Sequence, residues 1–227
     1  MADFRLRVTY AETGRLVMLS HLEIARALER AVRRAGLPYA VSQGFSPHMK
    51  QSFGSALPVG VGGLEEIFDV SLTDYVSPEE ALARLQAVSA PDLMPHAACY
   101  ITKDEVAASA AYPRSTYEVL VEARLGEESC DDVLSAARAL TLPAEIVVVR
   151  KKKERVLVPA EFMVGALEIE PAEPGEEGQS RARLRFTLES KATGSLRPDV
   201  LLEHMLDGTG LRAASILRTK QSEISKA

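Results

Sequence analysis

Residues 4–10, FRLRVTY, alternate between apolar and polar positions. Phe4, Leu6 and Val8 share one face and Arg5, Arg7 and Thr9 the other, which predicts a half-buried strand. From Ser20 the period changes. Ile24, Ala25, Leu28, Ala31, Val32 and Ala35 recur at helical spacing as one apolar face, with Arg26, Arg30 and Arg33 opposite and Arg34 beside them. Ser20 followed three positions later by Glu23 predicts a capping box, and Gly36 with Pro38 ends the helix. His21, in the first turn, is directed toward the apolar face.

Short strands follow near 39–42, 50–56 and 66–73. Ser77-Pro78-Glu79-Glu80 opens a second helix, with proline at its first position and acids in its first turn, and a strand near 94–101 completes the unit. Residues 104–116 read as a connector. The pattern then restarts with a strand at 117–125 and a helix at 130–140. A strand pair at 144–150 and 156–170 flanks RKKKER, and a strand at 181–189, a helix at 198–206 and a last strand at 213–221 follow. Residues 171–180, acidic and rich in glycine and proline, read as a mobile loop. The fold class expected is α+β, two tandem ferredoxin-like (βαββαβ) sandwiches with antiparallel sheets. Their spans are 1–104 and 117–227, with a linker at 105–116.

At 227 residues the chain can bury a sizeable core, and its net charge of −5 excludes a general polyanion binder. The charge is uneven: residues 1–50 carry eight Lys/Arg against four acids, so a local basic surface is expected. Cys99 and Cys130 are the two cysteines. With no CxxC pair and no three-cysteine cluster, iron–sulfur and zinc sites held by this chain are not expected, and no cofactor is assigned. Residues 1–9 are charged and alternating and no stretch has the length of a membrane span, so the expected location is the cytoplasm, with no membrane partner.

Candidate chemistry concentrates at SQGFSPHMKQS, residues 42–52, between two periodic segments. Ser42, Gly44, Phe45, Ser46, His48, Lys50 and Ser52 would crowd donors around a small volume suited to a phosphodiester or carboxylate, with Lys50 as a point charge. Ordinary turn chemistry also uses these residue types. If the loop folds over the helix N-terminus, His21 and His48 could act as acid and base, or hold a metal with Glu65 or Asp69; an inward histidine can equally be a hydrogen-bonded core residue. Arg26, Arg30, Arg33 and Arg34 could track phosphates together with Ser20, or be a solvated face paired with Glu23 and Glu29. The tip Arg150-Lys151-Lys152-Lys153-Glu154-Arg155 could touch RNA or guard a strand edge. There is no GxxxxGK(S/T), no GxGxxG and no GxSxG, which disfavours the clearest enzyme classes.

The run SHLE…RAVRRAGLPYAVSQGFSPHMKQSFGSALPVG resembles the radical-SAM-linked family of domains of unknown function. Gly14, Ser20, His21, Arg30, Arg34, Gly36, Ser42, Gly44, Phe45, Pro47, His48, Lys50, Ser52, Leu57, Pro58 and Gly60 match its pattern. Ser46 and Met49 depart from it, standing where asparagine and a second proline are frequent. The resemblance implies a radical-SAM/cobalamin enzyme as partner and, by gene association, an RNA or translation setting. The cysteine triplet of a radical-SAM domain is missing here, so radical chemistry would belong to another polypeptide. Three functions are expected in turn. The first is a binding module, without activity of its own, that presents RNA or another anionic substrate to a radical-SAM partner. The second is a metal-independent endoribonuclease using His21, His48 and Lys50. The third is a protein–protein scaffold.

Overall fold

The computed structural model describes residues 4–102, 104–125, 132–150 and 153–223. It is a mixed α+β structure dominated by antiparallel strands, and the chain divides into two compact units, 1–112 with 221–227, and 113–220.

In the first unit β1 (Phe4–Glu12) lies between β3 (Val61–Leu72) and β4 (Leu93–Ile101), and the short β2 (Gln51–Phe53) pairs with β3, giving the order β4-β1-β3-β2. All three pairings are antiparallel. Two helices, α1 (His21–Arg34) and α2 (Pro78–Gln86), cover one face. The alternation of β1 decides which one: Leu6, Val8 and Tyr10 join Phe68, Val70 and Leu72 of β3 and meet Ile24, Leu28, Val32, Ala81 and Leu85 of the helices in one core. Each large aliphatic side chain sealed there stabilises the unit by about 1.5–3 kcal/mol. Ser20 N–H donates to the Glu23 carboxylate at 2.8 Å and its hydroxyl does so at 2.7 Å, closing the start of α1. Gly36, at φ 63°, ends it in the left-handed conformation.

Segment 39–42 is not a full strand; it makes only the isolated bridges Tyr39↔Leu72 and Val41↔Met49. The strand expected over 50–56 contracts to three residues. The segment expected as a connector over 104–116 contains α3 (Ala108–Ala111), whose Ala108 and Ala111 pack against Ile67 on the face of the sheet opposite α1, and its last residues, 114–116, are already strand.

The second unit has the order β10-β5-β9-β8, with β5 (Arg114–Ala123), β8 (Met163–Ala172), β9 (Arg181–Glu189) and β10 (Leu211–Ser222). Its helices are α4 (Val133–Arg138) and α6 (Pro198–Leu206). Tyr117, Val119, Val121, Leu184, Phe186, Leu201 and Leu202 are buried. The long strand expected over 156–170 is broken by Pro159, which opens the single turn α5 (Pro159–Phe162) because proline cannot donate to a ladder. What precedes it, β6 (Ile146–Arg150) and β7 (Lys153–Leu157), forms a separate two-stranded sheet. Cys130, Lys151 and Lys152, named above for the helix start and the basic tip, lie outside the described residues.

Candidate functional site

The strand register builds the site. β1 sets Arg7 opposite Asp69 and Arg5 opposite Ser71, and β2 sets Ser52 opposite Asp69. Each of these positions alternates with a core residue, so all of them project from the face that α1 and α2 leave uncovered. Arg7 grips Asp69 in a buried fork, Nε to Oδ1 at 2.7 Å and Nη2 to Oδ2 at 3.1 Å. The carboxylate beside it raises the Arg7 pKa further above its ordinary value, against the opposing cost of burial. Ala108 N–H also donates to Asp69 Oδ2, at 2.9 Å. Arg5 Nη2 sits 3.5 Å from the same oxygen and donates to the carbonyls of Glu105 and Val106, each at 3.0 Å. One carboxylate is thus neutralised by Arg7, and Arg5 remains as charge in excess.

Beside this row lies an open cleft of about 330 Å³, lined by Arg5, His48, Lys50, Gln51, Ser52, Asp69, Ser71 and Ala107. The loop 42–48 brings His48 there by closing on itself. Ser42 N–H donates to the His48 carbonyl at 2.8 Å, and His48 N–H returns to Ser42 Oγ at 3.1 Å. His48 Nδ1 lies 3.0 Å from Ser42 Oγ and 3.2 Å from the Ser46 carbonyl. Met49 anchors the loop's return by sinking into the core at 1 % exposure. Lys50 then ties to both neighbours through its backbone: its N–H donates to Ala40 O at 2.9 Å and its carbonyl accepts from Ser71 N–H at 3.0 Å. Its ammonium end stays exposed. Gly44, Phe45, Ser46 and Pro47 form the exposed tip, with the Phe45 ring fully in solvent.

His21 does not share this cleft. Its ring meets Phe53 edge-on, with centroids 5.5 Å apart, and Phe53 in turn stacks on Phe68 of the helix-covered core. Phe53 and Ser52 are successive strand residues, so His21 and the group His48, Lys50 and Ser52 lie on opposite faces of the sheet. The expectation that the loop curls back over the N-terminus of α1 is thereby corrected: the loop leaves β2 by its edge, and Met49 holds it there. His21 instead borders a separate small cavity with Tyr10, Glu12, Ser55 and Glu66. Glu12 and Glu66 are buried, and a Cβ on Gly63 would collide with the Glu66 carboxylate. Sequence reasoning missed these two acids, although Tyr10 and Glu12 simply continue the inward alternation of β1.

The arginine stripe is also separate. Because α1 lays its apolar side on the sheet, Arg26, Arg30, Arg33 and Arg34 face outward from the helix, away from the cleft, as does Ser20 at its start. Arg33 is engaged by Glu29 at 2.6 Å and Tyr39 Oη at 2.8 Å, and its pKa is raised chiefly by the bond to Glu29. Stripe and loop therefore do not share a surface. Arg5, in the polar half of FRLRVTY, is the arginine that lines the cleft. Asp69, suggested as a metal ligand, is committed to Arg7, and among the described residues no group of three His, Cys, Asp or Glu side chains could hold a metal ion.

The second unit offers a contrast. On its sheet Arg114 pairs with Glu189 at 2.6 Å, Arg181 with Glu122 at 2.8 Å and Arg183 with Glu118 at 3.2 Å, so each of these three arginines has its own carboxylate. Among the described residues no helix is long and apolar enough to cross a membrane.

Among curated proteins none matches the chain. Of the solved structures, 26 chains match. One is the crystal structure of an unknown protein from Galdieria sulphuraria, 14 % identical, covering 98 % of this chain and 99 % of that one with a TM-score of 0.28. The family described as "Uncharacterized protein conserved in bacteria (DUF2344)" matches residues 5–198.

Proposed function

The chain belongs to the DUF2344 family, and from that premise we propose that it is a binding module whose first unit takes a phosphate-bearing ligand, single-stranded RNA, in the cleft beside β2. One observation carries the reading: Arg5, Lys50 and His48 converge on one open cleft of about 330 Å³ whose single carboxylate, Asp69, is already held by Arg7. A cleft with excess positive charge and serine hydroxyls at Ser52 and Ser71 is complementary to a phosphate. Its volume is at the small end of ligand sites and fits about one nucleotide unit rather than a duplex. Phe45, exposed at the loop tip, offers a ring on which an adjacent base can stack.

We read both units as βαββαβ sandwiches in tandem, supported by the matching orders β4-β1-β3-β2 and β10-β5-β9-β8, with β6, β7 and α5 inserted in the second. The partner we propose is a radical-SAM enzyme, to which this chain would present the bound anion in the cytoplasm; support for it is the sequence resemblance alone. No catalysis is assigned. Acid–base cleavage by a histidine pair needs both imidazoles at one phosphate, and His21 faces the other side of the sheet.

Fluorescence anisotropy with a short labelled oligoribonucleotide tests the reading. Wild-type affinity is expected to fall with added salt, and Lys50→Ala to weaken binding about threefold to tenfold, the effect of losing one charged contact. Arg30→Ala, on the outer side of α1, is expected to leave affinity within about twofold. Binding insensitive to Lys50→Ala would contradict the assignment.

A further inference from the structure

The hydrogen bonds of His48 specify what the cleft reads besides charge. Its Nδ1 lies 3.2 Å from the Ser46 carbonyl oxygen, which can only accept, so Nδ1 carries the hydrogen. The Ser42 hydroxyl oxygen, 3.0 Å away, is the second atom beside that Nδ1–H. The same oxygen accepts from the His48 backbone N–H at 3.1 Å, which fixes the residue from two sides. With Nδ1 the donor, the neutral ring has its lone pair on Nε2, which makes no hydrogen bond within the described residues. His48 lines the cleft and thus brings one uncharged acceptor to it, beside the cations Arg5 and Lys50, the hydroxyls of Ser52 and Ser71, the Gln51 amide and the Asp69 carboxylate held by Arg7.

A phosphate satisfies the cations but has no hydrogen to give Nε2. The ligand that satisfies both carries a hydroxyl next to its phosphate. We propose that His48 Nε2 accepts the ribose 2′-hydroxyl of the nucleotide held by Arg5 and Lys50, so that the cleft distinguishes RNA from DNA. That hydroxyl is the group by which a protein separates the two polymers at a given site. The inference rests on the proposed phosphate site and adds the sugar to it.

The experiment compares an oligoribonucleotide with the deoxyribonucleotide of the same sequence, against the full chain. The variants are wild type, His48→Ala and Lys50→Ala, and wild type is also measured with the 2′-O-methyl form of the oligoribonucleotide, which has no 2′ hydrogen to donate. Wild type is expected to prefer RNA over DNA about threefold to tenfold, the worth of one net hydrogen bond. His48→Ala is expected to bind RNA and DNA within about twofold of each other, and wild type to bind the 2′-O-methyl form within about twofold of DNA. The 2′-O-methyl measurement keeps the result readable if His48→Ala disturbs the loop. Equal, Lys50-dependent binding of RNA and DNA by wild type would overturn the sugar inference and leave the phosphate site standing. A preference that survives both His48→Ala and 2′-O-methylation would overturn it as well. Failure of either polymer to bind in a Lys50-dependent way would overturn both.

Discussion

Arg7 and Asp69 show how the first unit spends buried charge at a single pair of positions. Their side chains are 9 % and 3 % exposed, and the fork between them is bidentate. Removing one member of such a pair leaves the other charge buried without compensation, which costs about 3–5 kcal/mol. Asp69→Ala is therefore expected to destabilise the unit by about that amount, seen as a lower urea midpoint at unchanged slope, and to scramble the cleft floor where Arg5 rests. Glu23 works at the surface. Its pKa is lowered chiefly by the Ser20 backbone N–H, then by the Ser20 hydroxyl. A depressed carboxylate adds stability above its unfolded value, about 4.3, and loses it as pH falls through its lower folded value. Glu23→Gln is accordingly expected to flatten the acid side of the stability–pH profile below about pH 4.3, measured by thermal melts, while leaving the neutral side displaced by a constant.

At the scale of elements, the loop 42–52 is closed by Ser42 at its neck and by Met49 in the core, which holds His48 and Lys50 at the cleft. Ser42→Ala removes the side-chain half of that closure. It is expected to lower RNA affinity about threefold to tenfold and to speed amide exchange at residues 42–48, with unfolding unchanged because no core contact is lost. An unaltered affinity would mean the loop needs no closure to bind. Helix α1 was nearly complete in the sequence, with its cap, apolar face and glycine stop, because all three are local signals. The short β2 was not. A three-residue strand ending at Gly54 has no periodicity of its own and exists by pairing with β3.

For the whole molecule, the alternating order of the longer strands and helices could be read from the chain, since each of those carries its own period. Which residues meet could not. That His48 joins Arg5, while His21 joins Phe53 and Glu66, follows from register, and a shift of one residue exchanges the faces. The polar half of FRLRVTY already named Arg5 and Arg7, but only the pairing with Asp69 and Ser71 assigns one to structure and leaves the other to the cleft.

A titration of the isotope-labelled chain with a short oligoribonucleotide, followed by amide and side-chain NMR shifts, addresses the central claim most directly. Shifts concentrated at residues 48–52 and 69–71 and at the Arg5 guanidinium, quenched by Lys50→Ala, are the predicted result. Shifts confined to Arg26, Arg30 and Arg34 on the outer side of α1, with the cleft silent, would contradict it.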